Sequence, residues 1–253
     1  MKKIKTLVPL SAACVLMVFS NSFLTTASAE TPSTAENPAT TPATRNPWLD
    51  QHERTLRNVK AHPDAKLVFI GDSITQNWNS RGKDVWKERY SGLPAISLGV
   101  SGDKTENILW RLQHGELDGL DPALIVIMAG TNNIHRDTAE QIAEGIEAIV
   151  NEVLARCPDS QIVLMGIFPR GPNPRAPERP KIIEVNAIIS ELAADPQVEF
   201  LDIRDSLVDE NGNMDRELFP DYLHPLAPGY VIWADALNPY LEKALSAPEG
   251  TEG

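Results

Sequence analysis

Three residue types that together cleave esters occur in this chain, with neighbours that suit the chemistry. Ser73 follows a Gly-Asp pair at the end of the apolar run 67–70, and His224 comes three residues after Asp221. A histidine base can take the proton of a serine hydroxyl, and a carboxylate at that spacing can reach the imidazole Nδ1 and fix its tautomer. The residues therefore predict acyl transfer through a serine nucleophile, with Ser73, Asp221 and His224 as the catalytic residues.

This chemistry also needs hydrogen-bond donors that face the oxyanion, and polar clusters after two further predicted strands could supply them. Gly102 lies in the cluster that ends the second strand, and Asn132 follows the third. The backbone N–H groups of Ser73 and Gly102 and the side-chain amide of Asn132 would form the oxyanion hole. A glycine at position 102 lets the backbone approach a substrate closely.

Each assignment has a structural alternative. Ser73 could simply cap the helix that follows it, since serine is a common N-cap residue. Of the neighbouring Asn132 and Asn133, we expect Asn133 to be the turn residue or the support of the loop. Asp72 is expected to anchor its loop, with a substrate contact as the alternative. His135, just beyond the Asn132 loop, is a second candidate for contact with substrate.

Strand-like and helix-like segments alternate along the chain, which indicates how these residues come together. The expected strands are 66–70, 95–100, 123–129, 161–168 and 198–203, and the expected helices include 83–90, 105–116, 138–156, 180–194 and 228–245. Most of the strands are nearly continuous in apolar residues, as in a parallel sheet covered by helices on both faces. The pattern predicts one α/β domain over 47–246, with a five-stranded parallel sheet whose carboxyl edge holds the ligand crevice.

The termini differ in composition from the domain. Residues 1–29 combine a lysine-rich start, an apolar stretch and Ala27-Ser28-Ala29, which predicts a cleaved export signal, with an uncleaved membrane anchor as the alternative. Residues 30–46 are mostly Thr, Pro, Ala and Ser and predict a disordered tether, as the tail 247–253 does. We expect a periplasmic or extracellular protein without stable membrane insertion after cleavage.

Charge and motifs exclude several classes of partner. The formal net charge is −12, and removing the predicted signal with its three lysines would make it −15. Such a surface repels nucleic acid and anionic lipid headgroups. The sequence has no HExxH motif, no paired Cys/His ligands and no EF-hand loop, and Gly99-Val100-Ser101-Gly102 lacks the full dinucleotide fingerprint. We therefore expect no metal and no cofactor.

In their order along the chain, the polar clusters resemble those of the SGNH (or GDSL) hydrolase superfamily, with Ser73, Gly102, Asn132 and His224 as the four name residues. Further segments are similar to the catalytic subunits of intracellular platelet-activating-factor acetylhydrolases, over roughly Trp48 to Leu245. These segments are Val68–Ser73, Leu109–Leu112, Gly115–Leu117, Gly130–Asn133, Thr138–Glu140, Pro169–Gly171 and Asp221–His224. The resemblance implies a flavodoxin-like three-layer sandwich, a metal-free Ser-His-Asp esterase with a preference for short acyl groups, and a homodimer.

The acetylhydrolases of that resemblance are cytosolic, whereas this chain carries a predicted export signal. We therefore expect an exported serine esterase that removes short acyl groups, above all acetyl, from a carbohydrate or another small polar ester. A lipid-directed esterase or lysophospholipase is the alternative within the same chemistry. A non-catalytic carbohydrate-binding domain on the same scaffold is the alternative from a different class.

Overall fold

The computed structural model describes residues 36–45 and 49–246. The predicted export signal, residues 30–35 and 46 of the predicted tether, and the predicted tail 247–253 lie outside the described residues. Within the described ranges, no helix is both long and apolar enough to cross a membrane.

Helices and strands alternate through the domain as the sequence predicts. The strands are β1 (Leu67–Gly71), β2 (Ala95–Gly99), β3 (Leu124–Met128), β4 (Gln161–Met165) and β5 (Val198–Leu201). The helices are α1 (Leu49–Ala61), α2 (Ser73–Gln76), α3 (Lys83–Arg89), α4 (Thr105–Arg111), α5 (Ala139–Arg156), α6 (Glu178–Ile189) and α7 (Ala227–Ser246). Short 3-10 turns cover Asn77–Asn79, Ser190–Ala194 and Arg204–Leu207. The predicted α/β domain with a five-stranded parallel sheet is confirmed.

One predicted helix differs in its second half. The sequence predicts an uninterrupted helix over 105–116, but regular α4 ends at Arg111 and the chain continues as a wider π turn over Leu112–Glu116. Gly115 has a φ of 99°, a left-handed conformation that ends the helical pattern and that glycine adopts readily. The turn brings Glu116 into the protein interior, where it is fully buried.

The order of the strands reverses beside the end of β1. The sheet order is β2-β1-β3-β4-β5, so the chain moves outward from β1 to β2 and then returns to the other side of β1. The strands end at one level, with Gly71 paired to both Gly99 and Met128. Open α/β sheets bind ligands where the strand order reverses, outside the carboxyl ends of the strands. Here that point lies between β1 and β3.

Both faces of the sheet are covered. Alternate residues of each strand point to opposite faces, so each strand contributes to both cores. On one face, Val68 and Ile70 of β1 pack in a core with apolar residues of α1, α4, α5 and α6. On the other face, Phe69 packs among aromatic rings with centroid separations of 5.3–6.0 Å. Those rings are Trp78, Trp86, Tyr90 and Trp233. The strand that leads to Ser73 is therefore buried along its whole length.

The structure differs from the predicted tether over residues 36–45, which lie against the domain. Ala39 is completely buried, and the Asn37 Nδ2 donates to the carbonyl of Gln141 at 3.1 Å and to Glu144 Oε2 at 2.8 Å. The segment lacks large apolar side chains, which is why its composition predicts disorder. Its small residues and backbone polar groups nevertheless fit closely against α4 and α5.

Candidate active site

Ser73 stands at the tight turn where β1 passes into the short helix α2. A side chain at Gly71 would bring its Cβ to 2.5 Å from the carbonyl oxygen of Met128, so only glycine fits there. The Asp72 Oδ1 then accepts a hydrogen bond from the N–H of Ile74 at 2.9 Å and caps the helix. Ser73 is 9% exposed, and its hydroxyl faces the loop that carries His224. The N-cap role considered for Ser73 thus belongs to Asp72.

A continuous chain of hydrogen bonds joins Ser73, His224 and Asp221 (the candidate triad). The Ser73 Oγ lies 2.8 Å from His224 Nε2, and His224 Nδ1 lies 2.8 Å from Asp221 Oδ2. The other oxygen of Asp221 accepts from the backbone N–H of His224 at 2.8 Å and of Leu223 at 3.2 Å. Burial acts to raise the pKa of Asp221, but these N–H donors and the imidazole outweigh it and hold the pKa below its usual range.

The loop of Asp221 and His224 is shaped by a few local contacts. Tyr222 has a φ of 55°, a conformation that is uncommon for a residue other than glycine and that tightens the turn. The Arg81 Nη1 donates to the carbonyl of His224 at 3.1 Å, and its Nη2 lies 3.9 Å from Asp221 Oδ2. The Asp221 side chain is 45% exposed and that of His224 is 23% exposed. This half of the site therefore borders solvent.

Gly102 and Asn132, the other predicted oxyanion donors, are linked through the loop that follows β2. Gly102 has a φ of 78°, which a residue with a Cβ adopts only under strain. The Asn132 Nδ2 donates to the carbonyl of Asp103 at 2.8 Å. A side-chain amide has two N–H hydrogens, so this bond orients the group and uses one of them. This bond leaves the second hydrogen unused, which is compatible with the predicted oxyanion role.

A buried charge network beneath these groups was not predicted from the sequence. The Arg111 Nε donates to Asp103 Oδ2 at 2.7 Å, and its Nη1 donates to Glu116 Oε2; all three side chains are fully buried. The same guanidinium donates to the carbonyls of Leu98 at 3.0 Å and Gly71 at 3.2 Å. Arg111 therefore ties the end of β1, strand β2 and the Gly102 loop together. A signal existed in Arg111 itself, a charged residue within an otherwise apolar part of α4.

Asp72 is completely enclosed, which accords with the expected anchor role and leaves no surface for substrate. Burial raises the pKa of Asp72 to about 7, and the negative charge of Asp103 adds to this effect. The hydrogen bond from Ile74 and the charges of Arg111 and Arg170 act in the opposite direction. Its Oδ2 has no hydrogen-bond partner within 36–45 and 49–246, and burial of an unpaired oxygen disfavours the ionised form of the carboxyl group.

The two remaining predicted positions occupy different surroundings. Asn133 is fully buried, and its amide group bonds with Thr105, Glu106 and Asp137, which is the supporting role expected of it. His135 has a side chain that is 61% exposed, and its Nε2 lies 3.6 Å from Glu178 Oε1. Its contact with substrate stays a prediction. No group of three or more His, Cys, Asp or Glu in the described part of the chain could hold a metal ion.

The arrangement is suited to acyl transfer. A hydroxyl, an imidazole and a carboxylate stand in hydrogen-bond sequence, which is the geometry of a serine nucleophile with its base and orienting acid. Gly102 and Asn132 follow the neighbouring strands β2 and β3, at the same edge of the sheet as Ser73.

Comparison with known proteins gives matches over most of the domain. The model of the GDSL-like Lipase/Acylhydrolase family matches residues 69–232. The bovine (Bos taurus) platelet-activating factor acetylhydrolase IB subunit alpha1 is 36% identical over 225 residues, which cover 86% of this chain and 95% of the relative.

Solved structures show the same fold. A GDSL-like lipase from Bacteroides thetaiotaomicron has a TM-score of 0.62 at 25% identity and covers 78% of this chain and 96% of its own. A variant of an acetylxylan esterase from Geobacillus stearothermophilus has a TM-score of 0.54, covering 71% of this chain and 94% of its own. At 19% identity, this second likeness concerns the fold alone.

Proposed function

Because the chain belongs to the GDSL-like lipase/acylhydrolase family, we propose that it is an exported serine esterase that removes short acyl groups, above all acetyl, from a carbohydrate or another small polar ester. Membership of the family makes it a carboxylic ester hydrolase. The proposal adds the acting residues, the acyl group, the alcohol and the compartment. The observation that carries it is the unbroken Ser73–His224–Asp221 contact, with 2.8 Å at each step.

In the first half of the reaction, His224 Nε2 takes the hydroxyl proton of Ser73 while the Ser73 Oγ attacks the carbonyl carbon of the ester. The carbonyl oxygen becomes an oxyanion, which the N–H groups of Ser73 and Gly102 and the amide of Asn132 stabilise. When the tetrahedral intermediate collapses, the bond to the alcohol oxygen breaks, and the alcohol leaves with the proton from His224. An acyl-serine remains.

In the second half, water replaces the alcohol. His224 takes a proton from a water molecule, whose oxygen attacks the acyl-serine carbonyl through a second oxyanion. Collapse releases the carboxylic acid and returns the proton to the Ser73 Oγ. In both halves Asp221 accepts from Nδ1–H, which keeps the lone pair of Nε2 directed at Ser73 and stabilises the imidazolium.

The preference for acetyl rests on the bovine relative, which is named an acetylhydrolase. The preference for a polar alcohol rests on charge and on the predicted export. The formal net charge of −12, and of −15 without the predicted signal, opposes contact with an anionic lipid surface.

A lipid-directed esterase is the second candidate, and one observation favours it. The relative that shares 36% identity over 86% of this chain is named for platelet-activating factor, which is an acetylated phospholipid. Both candidates use the same triad and can release the same acetyl group. They differ in the alcohol.

Hydrolysis of p-nitrophenyl acetate, butyrate, octanoate and laurate by residues 30–253 tests the proposal, with Ser73→Ala as the matched control. We expect the highest kcat/KM on acetate and a loss of about 10⁵-fold or more in the control, because the members of a triad act as a unit. Acetylated xylo-oligosaccharide and platelet-activating factor then compare the two alcohols. A preference for laurate would favour the lipid-directed esterase, and activity that survives Ser73→Ala would refute the mechanism.

Cell fractionation tests the export. Expression of residues 1–253 in a bacterial host should give a periplasmic or secreted protein whose N-terminal residue is Glu30. A protein that keeps its first residues and sediments with the membrane would show the anchor alternative instead.

A further inference from the structure

Residues 36–45 (hereafter the strap) pack against α5 at a position where the helix carries no side chain. Ala39 is completely buried, and its carbonyl accepts a hydrogen bond from the Thr105 Oγ1 at 2.8 Å. Gly145 of α5 faces this carbonyl, and a Cβ at that position would lie 2.7 Å from it. Glycine inside a helix costs roughly 1 kcal/mol relative to alanine. The close approach of the strap is a physical reason for the glycine in α5.

The second half of the strap is bonded to the first turn of α4. The N–H of Ala43 donates to the carbonyl of Glu106 at 3.1 Å, and the carbonyl of Ala43 accepts from the Asn107 Nδ2 at 2.8 Å. These two hydrogen bonds on Ala43 fix the path that the strap takes past α4. That path leads to the loop after β2.

The strap ends with Arg45 against the Gly102 loop. The Arg45 Nη2 donates to the carbonyl of Ser101 and lies 3.3 Å from Asp103 Oδ1. A Cβ on Gly102 would lie 3.0–3.3 Å from the guanidinium atoms, so the planar group packs on the glycine itself. The Arg45 side chain is 42% exposed, whereas that of Asp103 is fully buried. Arg45 thus covers this loop from the solvent side.

Movement of this loop would move two oxyanion donors together. Gly102 supplies one donor from its backbone, and the carbonyl of Asp103 orients the second, the amide of Asn132. Arg111 holds Asp103 from the interior through the opposite carboxylate oxygen, Oδ2. The Asp103 carboxylate is therefore held between two guanidinium groups, one buried and one on the strap.

We propose that Arg45 is a positioning residue of the esterase, and that its guanidinium, carried by the strap, fixes the oxyanion loop from the outside as Arg111 fixes it from the inside. This inference rests on the proposed function, since it needs an oxyanion to form beside Gly102. Donors act in the transition state only when they lie at hydrogen-bond distance from the developing oxyanion, and a misplacement of about 1 Å can cost 10²-fold in rate. A loosened loop should therefore lower kcat and leave KM almost unchanged.

Two variants of Arg45 and one control on the same strap test the proposal with p-nitrophenyl acetate. In Arg45→Ala we expect kcat to fall by about 10-fold or more, with KM within about threefold of the parent. Arg45→Lys keeps the charge but not the planar fork and should recover part of the loss. Asn37→Ala removes the contacts at the other end of the strap and should leave kcat within about twofold.

A second readout separates positioning from a loss of folded protein. A trifluoromethyl ketone forms an oxyanion when serine adds to it, so its Ki should rise in Arg45→Ala by about the same factor as kcat/KM falls. The thermal unfolding midpoint should stay close to that of the parent.

The proposal is overturned if Arg45→Ala keeps its kcat, if only its KM rises, or if Asn37→Ala loses as much kcat as Arg45→Ala. A rise in KM alone would mean that Arg45 binds substrate. A failure of the proposed function looks different, because the parent itself would then show no hydrolysis that depends on Ser73.

Discussion

Gly102 and Asn132 meet at a loop that fully buried side chains hold from the interior, whereas Asp221 and His224 stand on a loop that borders solvent. Beneath the first pair, Arg111 and its acidic partners Asp103 and Glu116 are fully buried. On the second, the Asp221 carboxylate is 45% exposed and is held by N–H groups of its own loop. We call these the buried half and the exposed half of the candidate site.

The difference matches what the proposed mechanism requires of each half. Oxyanion donors keep one charge state and must stay within a fraction of an ångström of their place, so a rigid, desolvated support suits them. His224 gains and loses a proton in every cycle, and deep burial would oppose its charged form. A partly solvated loop avoids that cost, while the carboxylate of Asp221 stabilises the imidazolium. The contrast predicts that substitutions in the exposed half change rate without changing stability, whereas removal of the buried charges that support the other half costs stability.

Of the substitutions considered, Asp221→Asn should give the largest effect. It should lower kcat without changing stability. An asparagine can still accept from the N–H groups of Leu223 and His224, so the loop keeps its shape. Its amide cannot hold Nδ1–H as a carboxylate does, and the imidazole then presents the wrong tautomer to Ser73. We expect kcat on p-nitrophenyl acetate to fall by about 10⁴-fold, with the urea midpoint unchanged.

Asp215→Asn is a matched control for this prediction. Asp215 also caps its own exposed loop, accepting from the N–H of Glu217 at 2.8 Å, but it contacts no histidine among the described residues. Its replacement should leave kcat unchanged. If Asp221→Asn unfolded the protein or kept its full kcat, the division of labour between the halves would be refuted.

Arg111→Met should give a smaller effect when both effects are expressed as free energies. The effect should be on the free energy of unfolding. Methionine fills much of the volume but leaves the carboxylates of Asp103 and Glu116 buried without their shared cation. Removing one partner of a buried ion pair typically costs about 3–5 kcal/mol of unfolding free energy. Urea unfolding of the variant beside the parent measures this loss.

The exposed half offers the same substitution as a control. Arg81 bonds to the His224 carbonyl and lies 3.9 Å from Asp221, with its side chain 35% exposed. Because exposed pairs contribute little, Arg81→Met should change the unfolding free energy by no more than about 1 kcal/mol. Equal losses in Arg111→Met and Arg81→Met would remove the distinction between the halves.

The same contrast explains how far the sequence could predict the molecule. The strands and the candidate triad are predictable because their signals are local: an apolar run that ends at Gly71, and an aspartate three residues before His224. The buried network depends on partners that only the fold brings together. Arg111 and Gly71, for example, are 40 residues apart. The local sequence signal for the packing of the strap was Gly145, a glycine within the amphipathic pattern of α5.

Asp72→Asn should give the smallest effect, and it concerns the pH dependence of stability in the buried half. Burial raises the pKa of Asp72 to about 7 in the folded protein, against about 3.9 in an unfolded chain. Between these values the folded state holds a proton that the unfolded state has lost. The stability from this group is therefore complete below about pH 4 and declines as the pH rises through about 7.

Asparagine resembles the protonated carboxyl group and does not titrate, so the variant should lack this decline. Its Oδ1 can still cap Ile74. Relative to the parent, Asp72→Asn should gain about 2 kcal/mol of unfolding free energy between pH 5 and pH 8. Asp159→Asn, at an exposed position before β4, corrects for the change in net charge. A difference between variant and parent that stays constant with pH would mean that Asp72 is ionised in the fold. That would place a buried negative charge beside Ser73, where it would oppose the oxyanion of the proposed mechanism.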